Sequence, residues 1–309
     1  MAGITAALAS AASWAAGALL FKRIGQDMSS PAMTLTKGVF SLVLLGAVLA
    51  IFEARAGRAD RTGQRLRDMD KRSLWLLAGS GLLGIAVADT CFFQALKSLT
   101  PFTTVLAMMV GQILTPLLAV LFLRERATPI RVAAIALVVA GVGLVLWKSE
   151  EVGVGKPGAA GIAFALASVV SMSVSYIMAK KVLDRLSALQ ATFLRMLAGT
   201  AGILVLGLAM GRLGSWWLPL RNPGFAGLFL ASVGVVTFGG FWLSLAAFKY
   251  ADAIVANTLV STEPLFVILF SFMILGTQPT PAALAGSVLG LAGVYLLCRE
   301  RPAAAREQG

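Results

Sequence analysis

The chain has 309 residues, 58% of them hydrophobic and 13% charged, with a mean hydropathy of +0.87. That is more apolar surface than one soluble core can withdraw from water, so lipid is the implied solvent and a soluble globular fold is excluded. The formal net charge of +12 invites a nucleic-acid reading, but no aromatic-interleaved basic patch accompanies it and nucleic acid is set aside as a partner.

A helix crosses the hydrocarbon layer with roughly 20 largely apolar residues. Hydropathy places such spans at 4–21, 31–52, 73–96, 101–123, 129–148, 158–179, 188–210, 224–248, 253–275 and 280–298. Residues 1–21 have no positive segment ahead of the apolar run, and Lys22 and Arg23 follow it, so the run reads as a first membrane helix and not as a signal peptide. Pro31, Pro101, Pro129, Pro157, Pro223 and Pro281 mark helix starts, where a missing N–H costs nothing. Cys91 and Cys298 sit in separate apolar stretches and read as small buried hydrophobes.

With the N-terminus inside, 17 of the 26 basic residues fall in inner loops and the tail and 7 in outer loops, Lys37 and Arg195 lying within spans. This positive-inside bias puts both termini in the cytoplasm. The basic run 54–72 reads as a solvated loop near anionic headgroups.

The chain also repeats itself. Ala-Leu-Ala-Ser-x-x-Ser at 7–13 recurs at 165–171, an offset of 158 that also carries Lys37 onto Arg195. Ala95-Leu96-Lys97 matches Ala247-Phe248-Lys249 at an offset of 152, which carries Gly141 onto Gly293. Residues 1–150 and 151–309 are thus expected to hold five spans each, and an odd number forces the second half to enter the membrane inverted. The expected fold is an all-α integral membrane protein of ten transmembrane helices in two inverted five-helix repeats.

Two five-helix halves carrying these pieces resemble the drug/metabolite transporter superfamily, specifically its EamA-type members. The pieces are Pro31 with Lys37, the Ala-Leu-Lys end of the third span, Arg124-Glu125-Arg126, and Glu263-Pro264. Gln112 stands where the pattern has a proline like Pro264, and Thr277 where it has a glutamate like Glu125. The resemblance implies transport of amino acids or other metabolites outward, or uptake of compounds such as choline, and names no ligand.

A charge kept inside a span costs roughly 2.5–3.5 kcal/mol on insertion scales, which marks Lys37, Asp89, Arg195 and Glu263 as functional candidates. At 1.5 Å rise per residue, Lys37 and Asp89 lie about 9 and 12 Å from the outer ends of their spans, at depths that allow pairing. A fixed ion pair and a gate that exchanges partners are both open readings. Arg195 has no acidic counterpart in span 8, where Phe241 replaces Asp89, and is expected to turn to helix-end carbonyls or Glu263. Glu263 lies near the midplane, where desolvation penalises a carboxylate, and is a candidate proton or cation site. Pro264 after it frees a carbonyl one turn earlier.

Trp14, Tyr176, Phe92 and Trp242 are aromatic candidates for the substrate cavity, since a ring beside a carboxylate suits an amino-bearing or cationic ligand. Gln112 and Asn257 are candidate hydrogen-bonders to substrate or ties between helices. Gly286, Gly290 and Gly293 read as close-packing positions. The expected function is a secondary transporter, an exporter of an amino acid or related amine, in the bacterial inner membrane, acting as monomer or homodimer without a cofactor. A receptor or scaffold without flux is the alternative. No GxxxxGK[ST] pattern occurs, so ATP is not expected to drive it. The absence of histidine removes Ser-His and HExxH chemistry, and Asp89 has no second membrane aspartate with which to form a dyad, so an enzyme is not expected.

Overall fold

Helices begin where the sequence can settle their unpaired N–H groups. Pro129, Pro223 and Pro281 are first residues of their helices and Pro31 is second in its own. Asp70 accepts from the Ser73 N–H at 3.2 Å, and Ser187 with Gln190 closes a capping box. The computed structural model describes residues 2–24, 28–55, 62–99, 104, 108, 110–148, 159–221, 223–263, 265–266, 269–270, 273 and 281–299. Pro101, Pro157, Pro264 and Thr277 lie outside the described residues.

Every regular element among the described residues is helical. In chain order these are α1 (Ala2–Ile24), α2 (Ser30–Arg55), α3 (Lys71–Ser98), α4 (Gly111–Leu123) and α5 (Pro129–Lys148). There follow α6 (Ala159–Lys180), α7 (Ala188–Ala209), α8 (Pro223–Gly234 running on through Val235–Trp242 to Leu243–Tyr250), α9 (Ala253–Val260) and α10 (Pro281–Arg299). Short helices occupy Thr62–Arg67 and Leu218–Leu220. By length and composition α2, α3, α6, α7 and Ala226–Tyr250 of α8 can each cross a membrane.

The structure departs from the hydropathy reading in two places. The span expected at 253–275 breaks: α9 ends at Val260, Ser261 and Thr262 form a turn, and helix resumes at Glu263. The Thr262 hydroxyl donates to Leu259 O at 2.7 Å, which holds the turn. In α3 and α8 the backbone widens to π-helical turns over Leu82–Val87 and Val235–Trp242. Such turns leave carbonyls open to outside donors and recur at functional sites.

Here the duplicated serines act. Ser10 of α1 donates to Gly240 O in the π segment of α8 at 3.0 Å, and Ser168 of α6 donates to Ala88 O, directly after the π segment of α3, at 2.8 Å. The serines are 158 residues apart and the carbonyls 152, so each copy of the motif stitches its helix to the other half.

The duplicated lysines act at helix ends. Lys97 donates to Met28 O ahead of α2, and Lys249 donates to Leu183 O and Leu186 O ahead of α7. Each staples the third helix of a half to the connector between its first two. Each lysine stands in the last turn of its own helix, where the negative dipole end and free carbonyls suit a cation.

The glycines of α5 and α10 are reciprocal. A Cβ on Gly141 would lie 2.4 Å from Gly286 O and 2.6 Å from Gly290 N, and one on Gly293 would lie 2.8 Å from Ala134 O and from Val138 Cγ2. Residues 134, 138 and 141 map onto 286, 290 and 293 at the offset of 152. A Cβ at either glycine would force a neighbour to shift, and its absence lets the two backbones touch.

Candidate functional site

One cavity of about 210 Å³ lies where α1, α2, α3, α4, α6, α8 and α9 meet. It gathers Trp14, Lys37, Asp89, Phe92, Gln112, Tyr176, Asn257 and Glu263 from the sequence-derived candidates. Trp242 and Arg195 do not line it. Trp242 packs edge-on against Phe238 at 6.2 Å, both half-buried against the apolar core. Phe93, on the Asp89 face beside Phe92, lines it as well, whereas sequence reasoning missed Phe21, Thr115, Ser173 and Ser261, which also line it. Their types are ordinary in a membrane helix, and the 158-residue repeat gives no signal for them, since Ser173 falls opposite Ala15.

The wall at one side is an ion pair. Lys37 of α2 and Asp89 of α3 form a salt bridge with side chains 2% and 6% exposed, so the charges cancel inside the protein. The Lys37 ammonium also lies 4.7 Å from the centre of the Phe241 ring and 5.5 Å from that of Phe93. Two aromatic faces and one carboxylate thus replace its water. Trp14, edge-on to Phe241 at 4.8 Å, donates from Nε1 to Ser244 Oγ at 3.3 Å.

Arg195 differs from expectation. It bonds neither helix-end carbonyls nor Glu263. Nε donates to Ser80 Oγ at 3.1 Å and a terminal nitrogen to Ser175 Oγ at 2.7 Å, and the guanidinium lies 5.7 Å from the Tyr176 ring centre. The Ser175 hydroxyl in turn donates to Ser80 O at 2.6 Å. The absence of an acid in α8 leaves hydroxyls as the nearest oxygens, and α3 and α6 supply them.

On the other side α4 and α9 exchange amides. Gln112 Nε2 donates to Ser261 O and Asn257 Nδ2 to Gly111 O, both at 3.2 Å. Gln112 Oε1 is buried without a donor. Glu263 follows the Ser261–Thr262 turn, and its carboxylate meets no hydrogen-bond or ion-pair partner among the described residues. Thr115 and Ser173 satisfy each other at 2.9 Å.

Beyond the cavity, the connector after α4 is tied to the start of α9. Arg124 takes a left-handed conformation, φ 57°, and turns the chain so that Glu125 accepts from the N–H groups of Ala253 at 2.6 Å and Ile254 at 3.0 Å. Asp252, the residue at the helix start, does not cap it with its own side chain and instead pairs with Arg131. Lys180 adds donations to Phe248 O and Ala251 O.

The family model described as the EamA-like transporter family matches residues 1–147 and again residues 159–299. The chain belongs to that family. It is therefore a transporter, a multi-pass membrane protein and not an enzyme. A relative, the "Probable terminal-alkyne amino-acid exporter" of Streptantibioticus cattleyicolor, is 27% identical over 244 residues, covering 76% of this chain and 77% of that protein. A solved crystal structure overlays with a TM-score of 0.72 at 18% identity, covering 95% of each chain, which shows that the helical arrangement recurs.

Proposed function

We propose that this EamA-like chain is a secondary transporter that exports a small amine-bearing metabolite, an amino acid or a related amine, across a bacterial inner membrane. The observation that carries this is Glu263, a carboxylate without a partner among the described residues, facing a cavity where Lys37, the lining cation among those residues, is already paired with Asp89. A cavity with a spare negative group and aromatic walls suits a ligand with a positive amine and an apolar body.

Alternating access is the mechanism that fits two inverted five-helix halves, 1–150 and 151–309, with ten spans and both termini cytoplasmic. The two matched segments, the crossed Ser10 and Ser168 stitches and the reciprocal α5–α10 glycines support that reading. The break in the helix ahead of Glu263 is a further support, because interrupted helices build substrate sites at membrane depth. In this scheme the Lys37–Asp89 pair is a gate and the Glu125 tie at the face with the basic loops must release when the cavity opens there. Export is favoured by the Streptantibioticus relative, which is named an amino-acid exporter. Coupling is to protons or to the gradient of the substrate itself.

Counterflow in liposomes, run with the purified chain against amino acids, primary amines and quaternary ammonium compounds, tests this. Saturable exchange of at least one amine-bearing compound is expected. Specific binding with no exchange of any compound would make the chain a receptor and sink the proposal.

A further inference from the structure

Gln112 is only 5% exposed, and it uses half of its amide: Nε2 is spent on Ser261 O, while Oε1 faces no donor. A buried acceptor without a donor carries a free-energy cost that a ligand N–H can remove. The peptide that receives Nε2 belongs to Ser261, two residues before Glu263, and Gln112, Ser261 and Glu263 all line the same cavity. The two cations nearby cannot fill either vacancy, since Lys37 is held by Asp89 and Arg195 by Ser80 and Ser175.

Taking the cavity as the substrate site, we propose that Gln112 Oε1 and the Glu263 carboxylate form an acceptor-only pole that selects a primary ammonium group. Glu263 takes the charge and Oε1 takes one N–H, while the apolar body of the substrate lies toward Trp14 and Phe92. A quaternary ammonium would satisfy the carboxylate and the rings by charge alone. It brings no N–H to Oε1, and its methyl groups bury that oxygen still without a donor, so the pole rejects it. The pole exists once per chain. The residue at the offset of 152 from Glu263 is Gly111, where a Cβ would lie 2.6 Å from Val169 Cγ2, so no side chain fits there and the ligand has one orientation.

The test measures binding to the purified full chain, together with liposome flux, for 2-phenylethylamine and its N-methyl, N,N-dimethyl and N,N,N-trimethyl derivatives. Affinity should fall along the series, the primary amine binding about tenfold or more tighter than the trimethyl compound. Gln112→Leu should weaken the primary amine and leave the trimethyl compound within about twofold, erasing the preference. A flat or rising series in the wild type, no binding of any member, or an undiminished preference in Gln112→Leu overturns the pole. Should Gln112→Leu fail to fold, the wild-type series decides alone. A graded binding series without flux refutes transport and keeps the pole; flux with a flat series does the reverse.

Discussion

The ammonium of Lys37 lies 4.7 Å from the ring centre of Phe241, the residue that occupies in the second half the position Asp89 occupies in the first. One half therefore supplies the carboxylate and the other the aromatic face, and both serve the same lysine. Arg195, the counterpart of Lys37, is left to hydroxyls. At this pair of positions, acid against ring, Lys37 has a carboxylate and Arg195 has hydroxyls.

Removing one member of this buried pair leaves the other uncompensated. Asp89→Asn should cost about 3–5 kcal/mol of stability, and the double change Lys37→Met with Asp89→Leu should restore most of it. Thermal unfolding of the singles and the double in detergent checks the coupling. Singles that cost no more than the double would mean the charges are independent.

Glu263 makes no bond to the described protein, so Glu263→Gln should leave stability within about 0.5 kcal/mol of wild type. Exchange of an amine substrate should be abolished or uncoupled from the proton gradient. Unchanged exchange with unchanged pH dependence in the liposome assay would remove Glu263 from the mechanism.

Glu125 caps α9 from another helix connector, and Glu125→Ala should cost about 1–2 kcal/mol by leaving two N–H groups unpaired. Burial holds its carboxyl above the ordinary value of 4.5, against the pull of the Ile254 and Ala253 N–H groups. The folded state therefore favours the protonated form. Its stabilising contribution is complete below pH 4.5 and is lost as pH rises through the raised value. Across that window the melting temperature of wild type should fall relative to that of Glu125→Gln; parallel profiles would contradict this.

Lys249→Met removes the donor to two connector carbonyls, Leu183 O and Leu186 O. Local opening of residues 181–187 should be favoured by about 1–3 kcal/mol, read as faster tryptic cleavage at Arg185 in the otherwise folded protein. Cleavage at the wild-type rate would show that the staple does not hold the connector.

Hydropathy made most helices legible because a span must be apolar for its whole length, and α5, α6 and α7 begin within a residue of their expected starts. Depth counting made the Lys37–Asp89 pair legible because helical rise is fixed. The π segments were not, since a surplus residue in a turn changes no composition. Neither was the turn at Ser261–Thr262, two small polar residues of the kind that helices also tolerate. Arg195 found hydroxyls that the sequence offers in many places, and no spacing rule distinguishes Ser80 and Ser175 from the rest. The vacancy on Gln112 depends on which way an amide is turned, which only three-dimensional packing fixes.

The α5–α10 contact is isologous: the same patch meets its own copy, as at the two-fold interface of a homodimer. In a homodimer one mutation strikes both sides equally. Within a single chain the two sides need not match, and here they differ: Gly141 faces the backbone of Gly286 and Gly290, whereas Gly293 faces one backbone oxygen and the side chains of Val138 and Leu137. An alanine at 141 must push apart two main chains, while one at 293 can be met in part by a valine shifting. Two positions that symmetry makes equivalent are thus unequal in what they tolerate.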